Sequence, residues 1–168
     1  IMDYIKNFFI GLGIGIVFSL LIYIGADYTE VVEYLKRPEV FLLMVTLVSV
    51  RALNNIEAPV ATGGFLVGIY MINMGVGETV IELQPINMIL YMGLSYFLWQ
   101  APGSDLIPMG LSILFTSYII AKGLEVNIAY TIFLVVVAFT QFEKATLKEN
   151  AIYLIPSMAL GYFLQGMI

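Results

Sequence analysis

The stretch NFFIGLGIGIVFSLLIYIGA, residues 7–26, holds 20 consecutive uncharged residues, most of them large aliphatic or aromatic. At about 1.5 Å of rise per residue, a helix of this length spans roughly 30 Å, the thickness of the hydrocarbon core of a bilayer. No A-x-A-like cleavage site follows the run. We therefore interpret it as a first membrane helix rather than a signal peptide, with Met2 as the natural start.

Six further apolar segments follow, separated by short polar connections. They extend over about 39–53, 59–76, 86–100, 106–121, 126–142 and 151–166. The segments are continuously apolar rather than alternating, which predicts helices that satisfy their backbone hydrogen bonds internally. Several are shorter than the roughly 20 residues of a full span, and those at 39–53 and 86–100 could be broken or re-entrant. The sequence thus predicts an all-α, polytopic membrane helical bundle of six or seven transmembrane helices, forming a single transmembrane domain over 1–168.

The composition of the chain predicts lipid rather than water as its solvent. Hydrophobic residues make up 61% of the chain and charged residues 11%, and the mean hydropathy is +0.97. A soluble domain is about half apolar and a quarter charged, so in water this chain would expose large apolar patches. The lipid bilayer is therefore the first predicted partner, and we expect a multi-pass protein of the cell membrane.

The chain contains neither cysteine nor histidine. Disulfides, thiolate chemistry, haem or iron–sulfur ligation through these residues, and nucleophiles activated by histidine are therefore excluded within it. The acidic residues are scattered and no lysine lies within a predicted span, so we expect no metal, no cofactor, no catalytic residue and no enzyme. A net charge of −5 without a basic cluster argues against nucleic acid as a partner.

The sequence RALNNIEAP, residues 51–59, interrupts the apolar pattern and carries the strongest functional candidates. On a continuous helix, Arg51, Asn54 and Asn55 would share one face. A bend after that face would bring Glu57 close to Arg51. Because charged groups are costly in lipid, this polar knot would line a path for a solute or an ion. The alternative is a helix-to-helix turn at the membrane surface with Arg51 reaching into water, and the short flanking segments favour that alternative.

Two pairs of glycines have the G-x-x-x-G spacing. Gly11 and Gly15 lie in the first apolar run, and Gly64 and Gly68 in the third. The surroundings are apolar and no strand precedes them, so neither pair belongs to a phosphate-binding loop. The spacing predicts faces on which helix backbones approach closely, either within the chain or between copies.

Uncharged polar residues within the apolar segments complete the predicted path. Of these, the candidates are Asn73, Ser112, Thr116 and Gln141. An amide in lipid needs partners, so Asn73 and Gln141 are expected either to hydrogen-bond across helices or to hold a solute. Ser112 and Thr116 lie four residues apart and form a mildly polar stripe, although a hydroxyl can also bond the preceding turn of its own helix.

The connection after the third segment holds two acidic residues, Glu78 and Glu82, and no basic one. Two carboxylates four residues apart could attract cations at the mouth of a pore. The alternative is a solvated loop, which we favour.

Two further patterns bear on the architecture. A glycine followed closely by an acid recurs at about 25–27, 75–78 and 123–125, roughly 50 residues apart, which predicts a duplicated helical hairpin of the kind found in transporters. The alternative is that glycine followed by a polar residue ends most helices. Between the first two segments, Tyr28, Val31, Val32 and Leu35 fall on one face and predict a short interfacial helix ended by Pro38.

These patterns favour a small transporter or channel for a small, neutral or weakly polar solute or ion. The polar interruption at 51–59 and the faint repeat carry that expectation. The alternative is a non-catalytic structural or accessory subunit of a larger membrane complex, because glycine-notched helices suit assembly with other membrane subunits or in a homo-oligomer.

Overall fold

A computed structural model describes residues 2–101, 105–141 and 147–167, with all their side chains except those of residues 27, 29, 141 and 147–152. Within these residues the chain forms eight α-helices, one 3₁₀ helix at Gly25–Asp27 and no strand. The α-helices are α1 (Met2–Ile24), α2 (Thr29–Leu35), α3 (Pro38–Val50), α4 (Glu57–Val76), α5 (Pro85–Leu98), α6 (Leu106–Leu124), α7 (Ile128–Gln141) and α8 (Leu147–Leu164). The predicted all-α class is confirmed.

Three helices of the described chain, α1, α4 and α6, are long and apolar enough to cross a membrane. This is fewer than the six or seven predicted. The helices α3, α5 and α7 and the segment Tyr153–Leu164 of α8 are apolar but shorter. The difference is one of length: α3 has 13 residues, about 20 Å of helix, and α5 and α7 have 14 each.

The helix boundaries follow from local chemistry. Pro38 and Pro85 stand at the first positions of α3 and α5, where the missing backbone N–H costs nothing. Gly77 ends α4 with a φ of 70°, a left-handed conformation that glycine adopts without strain from a Cβ. Residues 51–56 form a turn rather than a continuation of α3, so the helical face predicted for Arg51, Asn54 and Asn55 does not form.

The contacts divide the chain into two compact units, Ile1–Trp99 and Gln100–Ile168. The first unit contains α1 to α5 and the second contains α6 to α8. Each unit has buried apolar side chains of its own, with Phe65 fully buried in the first and Ile119 fully buried in the second.

In the first unit, α1 and α4 lie against each other and run parallel. Gly11 faces Ala61, and one turn further along α1 Gly15 faces Phe65, so the residue numbers of the two helices rise together. Because α1 and α4 are parallel, the chain between them must return, and α3 is the helix that carries it back. The hydroxyls of Ser49 near the end of α3 and of Thr62 near the start of α4 lie 3.3 Å apart.

The four glycines predicted to notch the helices lie at this crossing, and the two backbones touch there. A Cβ at Gly11 would lie 1.9 Å from the carbonyl oxygen of Ala61, and one at Gly15 would lie 2.1 Å from that of Phe65. From the other side, a Cβ at Gly64 would lie 2.1 Å from the oxygen of Phe8, and one at Gly68 would lie 2.4 Å from that of Leu12. The G-x-x-x-G faces of α1 and α4 are thus used on each other within one chain.

In the second unit, α6 and α8 also run parallel. The Ser157 hydroxyl lies 3.5 Å from the carbonyl oxygen of Ile113. One turn further, a Cβ at Gly161 would lie 2.8 Å from Ile120 and 2.9 Å from the carbonyl oxygen of Ser117. The helix α7 carries the chain back between them, and Thr131 in its first turn packs against Gly123 in the last turn of α6. Both units therefore contain a long helix, a shorter returning helix and a second long helix parallel to the first, and the first unit has α2 and α5 in addition.

Candidate functional site

The turn at residues 51–56 is closed by hydrogen bonds from its own side chains and from α5. The Asn54 side-chain oxygen accepts the backbone N–H groups of Ile56 at 3.0 Å and of Glu57 at 2.9 Å, which satisfies donors left over at the start of α4. The indole N–H of Trp99 donates to the carbonyl oxygen of Ala52 at 2.9 Å. These bonds fix the turn against the ends of two helices.

Glu57 is buried at this end of the unit with both carboxylate oxygens hydrogen-bonded. The Asn54 side-chain amide donates to Oε1 at 2.9 Å, and the Asn7 amide of α1 donates to Oε2. Only 4% of Glu57 and 7% of Asn7 is exposed. As the first residue of α4, Glu57 also lies at the positive end of the helix dipole, which favours a carboxylate. We name Asn7, Asn54 and Glu57 the amide–carboxylate cluster.

Arg51 does not join this cluster. It is exposed, and its guanidinium has no ion-pair partner among the residues that the structure describes. Leu53 and Ile56 beside it are also exposed, by 67% and 60%. Asn55 is half-buried. The predicted knot therefore divides into a closed cluster around Glu57 and an outward-facing turn that carries Arg51.

Asn73 lies at the other end of α4, roughly 24 Å from Glu57 along the helix axis. Its side-chain oxygen accepts the backbone N–H groups of Val80 at 2.9 Å and Ile81 at 3.3 Å, and its amide donates to the oxygen of Ile81 at 2.7 Å. These bonds occupy the polar atoms of Asn73 with the backbone of the loop after α4. The structure thus gives Asn73 a loop-anchoring position apart from the amide–carboxylate cluster.

The hydroxyls predicted to form a stripe lie in the second unit. Ser112 is buried and donates to the carbonyl oxygen of Ala101 at 2.7 Å. Thr116 is fully buried, and its hydroxyl has no hydrogen-bond partner among the described residues. Gln141 ends α7, and its side chain lies outside the described residues.

Glu78 and Glu82 are both exposed in the loop between α4 and α5. Glu82 lines a cavity of about 250 Å³ in the first unit, whereas Glu78 lines a second, more open depression of about 480 Å³ that also includes Glu82. The smaller cavity, which we name the loop-end cavity, lies where α3 and α5 begin. It is lined by Leu35, Lys36, Pro38, Phe41, Val80, Ile81, Glu82, Leu83, Asn87 and Tyr91.

The loop-end cavity combines a basic, an acidic and two neutral polar side chains. They are Lys36, Glu82, Asn87 and Tyr91. Among the residues that the structure describes, these four side chains form no hydrogen bond or ion pair. Arg37, next in the chain to Lys36, is instead paired with the buried Glu39. Polar groups around this cavity are therefore open to an outside partner, unlike those around Glu57.

Sequence reasoning missed Asn7 and most of the loop-end cavity. Asn7 could have been found, because it precedes Gly11 by four residues and so lies on the glycine face of α1. Lys36, Asn87 and Tyr91 come from separate elements, and no spacing in the sequence brings them together. No protein-family model, curated protein or solved structure matches this chain.

Proposed function

We propose that the chain is a polytopic integral membrane protein of the cell membrane that transports a small, neutral or weakly polar solute. The observation that carries this proposal is the arrangement shared by the two units. Each has two long parallel helices joined through a shorter returning helix. Structural repeats of this kind recur in membrane transporters, where solutes are bound between or within the repeated elements.

The parallel packing of α1 with α4 and of α6 with α8 also supports a larger number of membrane crossings than helix length alone does. When α1 and α4 both cross a bilayer, the chain between them has to return, and α3 is the apolar helix placed to do so. The same argument applies to α7 between α6 and α8. With α5 included, seven crossings result. The short helices would require local thinning of the bilayer or polar flanks that reach the headgroups, at a modest cost per ångström.

The alternative is a non-catalytic subunit of a larger membrane complex. That hypothesis required glycine faces that other chains could contact. The faces of α1 and α4 are covered by each other, so they offer no surface to a second protein. The loop-end cavity, by contrast, offers polar groups to a small solute. These two observations favour transport over assembly.

The flux experiment reconstitutes the full chain into liposomes and follows light scattering after an osmotic step with a panel of neutral, zwitterionic, cationic and anionic solutes. We expect faster re-swelling than in protein-free liposomes for neutral or zwitterionic members of the panel. Liposomes containing an equal mass of an unrelated helical membrane protein control for leakage. Re-swelling at the protein-free rate for every solute would exclude transport by the chain alone.

Topology is testable separately, because the chain has no cysteine and single-cysteine variants carry no background. Leu53 and Thr79 are exposed at opposite ends of α4. We expect a membrane-impermeant maleimide to label Leu53→Cys and Thr79→Cys from opposite sides of sealed vesicles. Labelling of both from the same side would show that α4 does not cross.

A further inference from the structure

We propose that the loop-end cavity binds a small zwitterion, a molecule that carries one ammonium group and one anionic group. This inference rests on the proposed function, since it names the class of solute, but it is tested by binding as well as by flux. Lys36 would meet the anionic group and Glu82 the ammonium group. The molecule as a whole is neutral, in keeping with a solute of no net charge.

The first argument for a zwitterion comes from the charges around the cavity. Lys36 and Glu82 both line it, and neither forms an ion pair with the other or with a further described residue. A simple anion would meet Glu82 as a like charge, and a simple cation would meet Lys36 in the same way. A molecule that carries both charges satisfies both side chains. Two opposite, unpaired charges on one cavity therefore favour a zwitterion over an ion.

The remaining polar groups strengthen this assignment. Asn87 offers an amide that both donates and accepts, and Tyr91 offers a hydroxyl that does the same. The aromatic rings of Tyr91 and Phe41 pack with their centroids 4.9 Å apart, and both residues line the cavity. An aromatic wall also attracts an ammonium group through the ring quadrupole.

The size and the apolar lining limit the ligand. A volume of about 250 Å³ lies just below the roughly 300–1,000 Å³ of typical ligand pockets, so the cavity suits a small ligand. Leu35, Phe41 and Leu83 supply an apolar part of the wall. A short zwitterion with a small carbon skeleton matches both features.

Two sources supply this chemistry: a free zwitterion from solution, or the headgroup of a zwitterionic phospholipid. The phosphodiester 2-aminoethyl methyl phosphate, which carries one ammonium group and one negative charge, represents the first, and short-chain phosphatidylethanolamine carries the same charge pattern as a lipid headgroup. Binding of only the free molecule would support a soluble ligand. Binding of only the lipid would support a headgroup site, and binding of both would support the shared chemistry without requiring acyl chains.

Binding is measured by isothermal titration calorimetry on the full chain in detergent micelles, first with 2-aminoethyl methyl phosphate and then with dihexanoyl phosphatidylethanolamine. We expect at least one to bind, and each of Lys36→Gln and Glu82→Gln to weaken that binding by about tenfold or more, since each removes one charge-assisted contact. Dimethyl phosphate and ethylamine, which each carry one of the two charges, should bind at least about tenfold more weakly than 2-aminoethyl methyl phosphate. Dihexanoyl phosphatidylglycerol, which lacks an ammonium group, serves the same purpose for the lipid.

The matched control is Glu78→Gln, because Glu78 lies in the same loop and is also exposed but does not line the cavity. It should leave binding unchanged. The inference is overturned when neither probe binds, when the single-charge compounds bind as tightly as the zwitterion, or when Glu78→Gln weakens binding as much as Glu82→Gln. The charge-swapped double variant Lys36→Glu with Glu82→Lys adds a further check, since it should recover part of the binding that either single exchange loses.

Binding and flux then separate the two proposals. Zwitterion binding without flux in liposomes would support the proposed site and contradict the proposed transport. Flux of a zwitterion that is unchanged by both Lys36→Gln and Glu82→Gln would keep transport and remove this site. Circular dichroism and gel filtration of each variant establish that it has folded, which is expected because Lys36 and Glu82 are exposed.

Discussion

The helix pair α1–α4 and the helix pair α6–α8 reach the same parallel arrangement with different tolerance for change. In the first pair, glycines on both helices face backbone oxygens of the partner, and an added Cβ would come within 1.9–2.4 Å of them. In the second pair, Gly161 alone supplies the notch, and the Ile120 side chain lies among the nearest atoms at 2.8 Å. Ile120 Cβ and the Ser117 carbonyl oxygen, 2.9 Å away, are also fixed to their helix, but the overlap at 2.8–2.9 Å is smaller than that at 1.9–2.4 Å in the first pair. The first crossing is therefore the more rigid and the less forgiving.

The largest expected effect comes from Gly15→Ala, which adds a methyl group to a space of 2.1 Å beside the Phe65 carbonyl oxygen. The helices have to separate, and we expect a loss of about 3 kcal/mol or more in the free energy of unfolding. Equilibrium unfolding in detergent, followed by circular dichroism, measures the change. Gly13→Ala is the matched control in the same helix, because no atom lies within 4 Å of its Cβ position.

The control should be neutral or stabilising by up to about 1 kcal/mol, the gain from replacing glycine by alanine in a helix. Equal stabilities of Gly15→Ala and Gly13→Ala would show that α1 and α4 do not touch as described. That result would remove the contrast between the two helix pairs.

An intermediate effect is expected from Glu57→Leu, which tests whether the first pair also depends on the amide–carboxylate cluster. The substitution leaves the amides of Asn7 and Asn54 without their acceptor, and Asn7 is buried. A buried donor without a partner costs about 1–3 kcal/mol, so we expect a loss of about 2 kcal/mol. The single tryptophan, Trp99, hydrogen-bonds the neighbouring turn, and its fluorescence should report the change during unfolding.

The exposed Glu78 provides the comparison for this substitution. Glu78→Leu removes a carboxylate that makes no described hydrogen bond and should change the stability by less than about 0.5 kcal/mol. A Glu57→Leu variant as stable as Glu78→Leu would mean that apolar packing at the crossing suffices without the cluster.

The smallest effect is expected from Gly161→Ala in the second pair. The new methyl group meets Ile120 Cβ and Cγ2 at 2.8 Å and the Ser117 carbonyl oxygen at 2.9 Å, a smaller overlap than at Gly15, so we expect a loss of about 1 kcal/mol. Gly110→Ala in α6 is the control, because its Cβ position is open. A loss as large as that of Gly15→Ala would contradict the difference in tolerance between the pairs.

Much of the local structure was predictable from the sequence. Proline and glycine positions fixed where α3 and α5 begin and where α4 ends, since these residues restrict or free the backbone by themselves. The glycine spacing pointed to close helix contact. The number of full-length helices was overestimated, because apolar composition does not by itself set the length of a helix: α3, α5 and α7 are apolar but have only 13 or 14 residues.

The candidate site was predicted only in part. Glu57 and Asn73 were both expected to serve a path, but each is hydrogen-bonded to partners that lie 50 and 7–8 residues away. Glu82 was expected at a pore mouth or in a solvated loop, and it lines a cavity with Lys36 and Tyr91. Such assignments depend on which polar atoms already have a hydrogen-bond partner within the protein. That is decided by tertiary contacts rather than by residue type.

The sequence by itself determined that the chain is helical, apolar and notched by glycine, because hydropathy, helix period and backbone restriction act over a few residues. Only the tertiary structure decided that α1 and α4 are parallel and that their glycine faces meet within one chain. It also decided that the polar atoms around Glu57 are hydrogen-bonded to one another, whereas the polar side chains around the loop-end cavity are available to a ligand. The physical reason is that hydrogen-bond satisfaction and close packing are set between residues far apart in the chain, where local patterns carry no information.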